Sequence, residues 1–382
     1  MKPVISIHLI TYRRVPYDHG NEVPGRSPTT RMETEMAARW TALPALATVS
    51  LLAAGCVNPN TGTSNADGGP SSSASAATSP GTSGGAKRIG FFGFAKANSF
   101  SAATFAGVEE YAKANGATAE FLDSNFDAQA QVRQLQDAVT AKRFEVFVVQ
   151  ANDGAAVVPA IRSAVQAGIT VVVQFTPVGT RYDTADPQVD GTITLIDVPT
   201  LNGEGLGELA IQACASKKLD PCEVGYLEGL KALPLDNART QAAVAKLKAA
   251  PGVEVKAQLE GGYTQESGRK AMQDVLQKNP GIDVIIGASQ AILGAEVVAK
   301  GKDIMYVANG ASRQTVQAVR EGRWFGAYYL PVKTLGAKAA ELGLRKARGE
   351  QVPATNLATD VQPGTSMGTK DALAQVSGEY DE

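Results

Sequence analysis

The chain has 382 residues, of which 44% are hydrophobic and 19% charged, and its formal net charge is -2. This is the composition of an ordinary soluble globular protein, and the length predicts about two domains. A balance so close to neutral supplies no field that would direct the chain to nucleic acid or to an anionic membrane surface.

Residues 1–35 hold no apolar segment, and Arg13-Arg14 is not followed by one, so no twin-arginine signal is read there. These residues are expected to be an upstream extension, with the true start at Met36 or Met32. Met36-Ala37-Ala38-Arg39 is a short basic start, and Trp40 to Ala54 is an apolar run shorter than the ~20 residues of a membrane span. Residues 36–55 therefore read as an export signal. Leu52-Ala53-Ala54-Gly55-Cys56 resembles the lipobox of bacterial lipoproteins, which implies a lipid on Cys56 as the mature N-terminus. Residues 56–86 are Ser, Thr, Gly, Ala, Asn and Pro with almost no large apolar side chain. Such a segment cannot bury enough surface to offset its ordering entropy, and reads as a flexible tether. Asn65-Ala66-Asp67-Gly68-Gly69 within it is too short and sparse for a calcium loop.

From Lys87 onward short β-rich runs alternate with helical periodicity. A strand is predicted over 88–95, then a helix with Phe105, Val108 and Ala112 on one face and Gly116 as its stop. A strand at 118–123, a helix at 127–142 with Val132, Leu135 and Val139 inward, and a strand at 144–150 follow. Next come a helix at 154–168 and strands at 169–175 and 192–196. Asp153 and Asp197 stand just after strand ends, where an acidic side chain caps a helix or lines a crossover. Asn202-Gly203-Glu204-Gly205-Leu206-Gly207 has G-x-G-x-G spacing rather than the dinucleotide G-x-G-x-x-G, and reads as a turn opening the next helix. The scheme then repeats: strand 223–229, helix 236–250, strand 253–261, helix 265–277, and strands at 282–288, 304–310 and 324–330 with helical segments between. The fold class is α/β. Nearly continuous apolar strands imply parallel sheets covered on both faces, in two doubly wound lobes. A ligand would bind beyond the carboxyl ends of the strands, in the cleft between the lobes.

Cys214 and Cys222 flank a polar loop and, in an exported chain, are expected to form a disulfide. The two histidines, His8 and His19, both precede the expected start. A mature chain without histidine has no Ser-His-Asp or Cys-His catalysis and no His-ligated metal.

The order of elements over residues 87–360 resembles the sugar-binding proteins of ABC importers, of the ribose-binding type, with the type I periplasmic-binding-protein fold. The stretches that carry the likeness are 96–116, 151–173, 236–247, 289–301 and 307–339. The resemblance implies a three-segment hinge crossing near residues 196, 329 and 357. It implies an N-terminal lobe of 87–196 with 330–357, and a C-terminal lobe of 197–329 with 358–382. Its ligand-binding set maps onto Asn98 (hydrogen bonds to a hydroxyl), Phe100 (the ligand's apolar face), Arg239 (a fork onto ligand oxygens), Tyr263 (a second aromatic wall), Asn309 and Tyr329. Two positions depart from the family pattern. An Asp-Arg pair is replaced by Gln174-Phe175-Thr176, and an Asn-Asp pair by Ala288-Ser289 with Gln290 beside it. Phe175 and Gln290 thereby join the candidate set, in a pocket less charged and more aromatic than a ribose site.

The resulting expectation is a lipid-anchored, extracytoplasmic solute-binding protein of an ABC importer. It would act as a monomer that takes a small sugar or polyol, presents itself to a membrane permease, and needs no cofactor or metal. Two alternatives carry the same sequence differently: the same fold delivering a non-sugar or signalling ligand to a sensor or chemoreceptor, and an exported enzyme. Against the enzyme stand the missing histidine, the missing G-x-S-x-G and the lack of a carboxylate pair in any motif.

Overall fold

Apolar strands that alternate with amphipathic helices can hide both faces only by stacking helices on each side of a sheet. The structure, a computed structural model, describes residues 86–382. The readings made of residues 1–35, of the export signal at 36–55 and of the tether from Cys56 lie outside those residues.

The first sheet contains β1 (Arg88–Gly93), β2 (Thr118–Asp123), β3 (Val146–Val149), β4 (Thr170–Phe175) and β5 (Ile193–Ile196) in the order β2-β1-β3-β4-β5. All its pairings are parallel. Helices α1 (Ser99–Ala114), α2 (Ala128–Thr140) and α3 (Val158–Gln166) connect them. Asn98 and Asp127 begin α1 and α2 as side-chain caps, each accepting from backbone N–H groups of the first turn.

The second sheet contains β6 (Cys222–Glu228), β7 (Val253–Glu260), β8 (Val284–Ala288), β9 (Met305–Asn309), β10 (Gly326–Tyr328) and β11 (Met367–Thr369), in the order β11-β10-β9-β8-β6-β7. Only β11 runs antiparallel. Its helices are α4 (Pro199–Ser216), α5 (Pro234–Ala249), α6 (Gln265–Lys278), α7 (Ser289–Val298) and α8 (Arg313–Arg320). The inner strands β3, β8 and β9 are buried along nearly their whole length, whereas β2 and β7, at the sheet edges, alternate. An edge strand has one partner and one covered face, which is why its pattern falls back to a period of two.

The chain passes between the two sheets three times. After β5 it enters α4, which packs on β8, β9 and β10. After β10 it enters α9 (Val332–Ala347), which packs on β3, β4 and β5 of the first sheet. It then runs beside β5, where the Thr194 and Ile196 N–H groups donate to Ala354 and Asn356 carbonyls, before returning through Leu357 to β11.

Three helix pairs meet through glycine. Gly107 and Gly336 join α1 to α9, Gly203 and Gly207 join α4 to α5, and Gly268 and Gly294 join α6 to α7. The segment 202–207 is therefore no turn. It lies inside α4, and its glycines let the α5 backbone approach, a Cβ on Gly203 falling 2.2 Å from the Arg239 carbonyl. Cys214, on α4, and Cys222, opening β6, are joined by a disulfide with their Cα atoms 5.8 Å apart.

The last segment ties the sheets together from outside. Glu379 N–H donates to Ala311, and Arg313 N–H to the Tyr380 carbonyl, holding the tail on the loop before α8. From there Glu379 accepts from the N–H groups of Lys333 (2.7 Å) and Thr334 (3.2 Å). Helix α9 starts at Pro331 without a side-chain cap of its own, so this distant carboxylate fills that place. Glu379→Ala is expected to lower the unfolding free energy by about 1 kcal/mol in urea titrations. Glu379→Gln, which keeps an acceptor oxygen, should lose less.

Candidate functional site

In each sheet the strand order reverses once, between β1 and β3 and between β6 and β8. Side chains from strand ends gather at that reversal. Here the two reversals face one cleft. Phe94, Phe126 and Phe175 reach it from the ends of β1, β2 and β4. Tyr263, Ser289, Asn309 and Tyr328 reach it from the ends of β7, β8, β9 and β10.

Seven of the eight candidate ligand residues line this cleft: Asn98, Phe100, Phe175, Arg239, Tyr263, Gln290 and Asn309. Tyr329 does not, which corrects the reading made of it. Successive residues of an extended segment point to opposite sides, and it is Tyr328 that faces the cleft. Tyr329 is buried away from it, with its hydroxyl donating to the Ser377 carbonyl at 3.1 Å. Asp153 caps the turn before α3, accepting from the N–H groups of Ala155 and Ala156. Asp197 is buried beneath the cleft wall.

Among the described residues Arg239 is the one charged residue of the lining. It sits on the second turn of α5, one turn beyond Asp236, and both are buried. Its Nη1 donates to Asp236 Oδ1 at 3.0 Å. The Tyr263 hydroxyl donates to the same oxygen at 2.6 Å, and Leu230 N–H to Oδ2 at 2.8 Å. Burial pushes the Asp236 carboxyl up, against the opposing pull of Arg239, Tyr263 and Leu230. Arg239 Nε and Nη2 have no partner among the described residues. A guanidinium is always charged, and one buried with two donors free on a single edge calls for a pair of acceptors there.

The rest of the lining is mostly apolar. Phe100 and Phe175 pack at 4.7 Å between ring centroids, and the Arg239 guanidinium lies 5.9 Å over the Phe175 ring. Phe126, on the first sheet's side, and Tyr263, on the second's, are parallel within 5° at 6.1 Å. Phe126 (φ 60°) and Phe175 (φ 68°) both hold left-handed backbone conformations. These are costly for a bulky side chain, on the order of 1–3 kcal/mol each, and strain of this kind concentrates at binding sites. The polar groups are few. Asn98 Oδ1 is occupied by Ser101 N–H, leaving its amide NH₂ for the cleft. Gln290 Nε2 donates across the cleft to Ser99 Oγ at 3.0 Å.

Beside Tyr328, the lining residues that sequence reasoning missed include Phe94, Phe126, Leu233, Leu235 and Tyr380. All but Tyr380 lie in loops just after strands or at a helix start, so their distance from a strand end was the available signal. Tyr380 is brought in by the tail, and no local pattern marks it. Among the described residues no cluster of His, Cys, Asp and Glu could hold a metal, and no helix is long and apolar enough to cross a membrane.

A sequence profile of the family described as "Periplasmic binding protein domain" matches residues 89–351. Similar solved structures include an ABC transporter periplasmic solute-binding protein from Actinobacillus succinogenes 130z with bound D-allose. It is 16% identical, with TM-score 0.62, covering 71% of this chain and 95% of that one. An ABC transporter solute-binding protein from Mycobacterium smegmatis with bound glycerol is 21% identical, with TM-score 0.63, covering 78% and 100%. One from Bacillus halodurans C-125 with bound myo-inositol is 17% identical, with TM-score 0.63, also covering 78% and 100%. At these identities the likeness establishes the fold, two parallel-sheet lobes of the type I kind. No curated protein matches the chain.

Proposed function

The chain belongs to the periplasmic binding protein family, and from that premise we propose that its cleft captures a small neutral sugar or polyol for an ABC importer. It is a solute-binding protein rather than an enzyme. The observation that carries the proposal is the state of Arg239. Its charge is already matched by Asp236, so an anionic ligand would find no free cation among the described residues of the lining. Its unpaired Nε and Nη2 suit two neighbouring neutral oxygens, such as a vicinal diol or a ring oxygen with its adjacent hydroxyl. Aromatic rings around that edge suit the apolar faces of a sugar. The D-allose, glycerol and myo-inositol of the similar structures are neutral polyhydroxylated ligands and support the class.

In this reading the lobes close on the ligand about the three crossings, and a permease recognises the closed form. The protein acts as a monomer, held at the outer face of the cell membrane by lipid on Cys56, the tether giving it reach. The anchor rests on the Leu52-to-Cys56 pattern and the composition of the segment after it.

Thermal unfolding of the protein against neutral pentoses, hexoses and polyols, with uronic acids alongside, tests the class. A ligand present at 100 times its Kd adds about 2.7 kcal/mol, a clear rise in Tm. A response confined to acidic sugars, or to compounds without hydroxyls, would overturn the proposal.

A further inference from the structure

Asp197 follows β5 at the first crossing between sheets and is 2% exposed. It does not line the cleft, and among the described residues it forms no ion pair. Its two partners come from the two elements packed against it. Asn202 Nδ2, on α4, donates to Oδ2 at 2.7 Å. The Tyr328 hydroxyl, at the end of β10 and next to the second crossing, donates to Oδ1 at 3.3 Å. Arg239 on α5 acts on it only through space. Asn202 Nδ2 also donates to Asn309 Oδ1 at 3.4 Å. Tyr328 and Asn309 both line the cleft.

The chemistry of a carboxylate gives this chain a direction. An ionised Asp can only accept, so Asn202 has to turn its NH₂, and not its oxygen, toward Asp197. The second hydrogen of that NH₂ meets Asn309, whose oxygen is thereby turned inward, leaving its own NH₂ for the cleft. The Tyr328 hydroxyl spends its single proton on Asp197, so toward a ligand it can only accept. We propose that Asp197 is a positioning residue that sets the hydrogen-bond polarity of the cleft wall: a donor at Asn309, an acceptor at Tyr328. The ligand class that fits is one with an oxygen lone pair toward Asn309 and a hydroxyl proton toward Tyr328. This deepens the sugar reading and rests on it for the nature of the ligand.

Burial raises the Asp197 carboxyl to about 6, against the pull of Arg239, Asn202 and Tyr328. Protonation removes the demand that orders the chain. Affinity should therefore be full above that value and fall as pH drops through it.

The test uses the ¹⁵N-labelled full chain without ligand, following Asn side-chain amide signals between about pH 4 and pH 8. The Asn202 and Asn309 signals are expected to shift with one shared midpoint near 6. Asp197→Asn should abolish both shifts, and Asn202→Ala should abolish the Asn309 shift. An Asn309 signal that ignores this titration, or that still titrates in Asp197→Asn, overturns the proposal. D-allose and myo-inositol are then added to each sample. If neither these nor other neutral sugars move the Asn98 and Asn309 signals while the titration chain is intact, the sugar reading fails and the polarity relay stands. For a sugar that binds, Asp197→Asn should weaken affinity about tenfold at pH 7, as expected of one mis-set buried hydrogen bond. The gap should close below pH 6, where the wild type has lost its own carboxylate.

Discussion

Arg239→Met is expected to abolish ligand capture and to destabilise the fold by about 3–5 kcal/mol. The two effects have different origins. Capture is lost because Arg239 lines the cleft with Nε and Nη2 unpaired among the described residues, and two charge-assisted hydrogen bonds are worth roughly 100-fold or more in affinity. Stability is lost because Asp236 stays behind, buried and without its counter-charge. A second substitution separates them. Asp236→Asn removes the stranded charge; its single oxygen can still accept from Leu230 N–H, and the Tyr263 hydroxyl, which can rotate, can accept from the new NH₂. The Asp236→Asn/Arg239→Met pair should recover most of the stability in urea titrations and none of the binding. If Arg239→Met alone still bound a sugar with wild-type affinity, the guanidinium edge would not be the recognition element.

Gly107→Ala should destabilise by about 3 kcal/mol, read as a lower urea midpoint at unchanged slope. Intrinsic propensity argues the other way, since alanine is favoured over glycine in a helix interior by about 1 kcal/mol. Packing decides the sign. The added Cβ would lie 1.8 Å from the Lys333 carbonyl oxygen, a backbone atom that moves only if α9 shifts as a whole. Gly336→Ala meets the Thr104 carbonyl at 1.9 Å from the other side of the same pair, and the same sign is expected. A stabilised Gly107→Ala would mean that α1 and α9 can part without cost. The pair joins the first lobe's opening helix to the segment just past the second crossing, so the contact also bears on how the lobe moves.

Much of the cleft was legible because it is built from strand ends. Asn98, Phe175 and Asn309 each stand within a few residues of the end of an apolar strand, and a doubly wound sheet must bring such positions together. Arg239 was legible only by resemblance, since on periodicity alone it is one more polar residue on a helix. The choice between Tyr328 and Tyr329 was not legible. A three-residue strand leading into a crossing carries too little alternation to say which ring faces the ligand. The glycines of 202–207 were misread for a related reason: glycine in a sequence marks a turn or a close approach equally well. Only the neighbouring helix tells them apart.

By itself, then, the sequence determined what local chemistry controls. The period of each element, the apolar inner strands, the near-neutral charge and the residues after strand ends are all properties of neighbours along the chain. The tertiary structure decided what depends on partners far apart in it. Asp236 neutralises Arg239 under a tyrosine from the next strand unit, Glu379 caps a helix that begins near residue 332, and Asp197 reaches Asn309 through Asn202. A buried charge takes its meaning from whichever donors the fold brings to it, and no spacing along the chain records them.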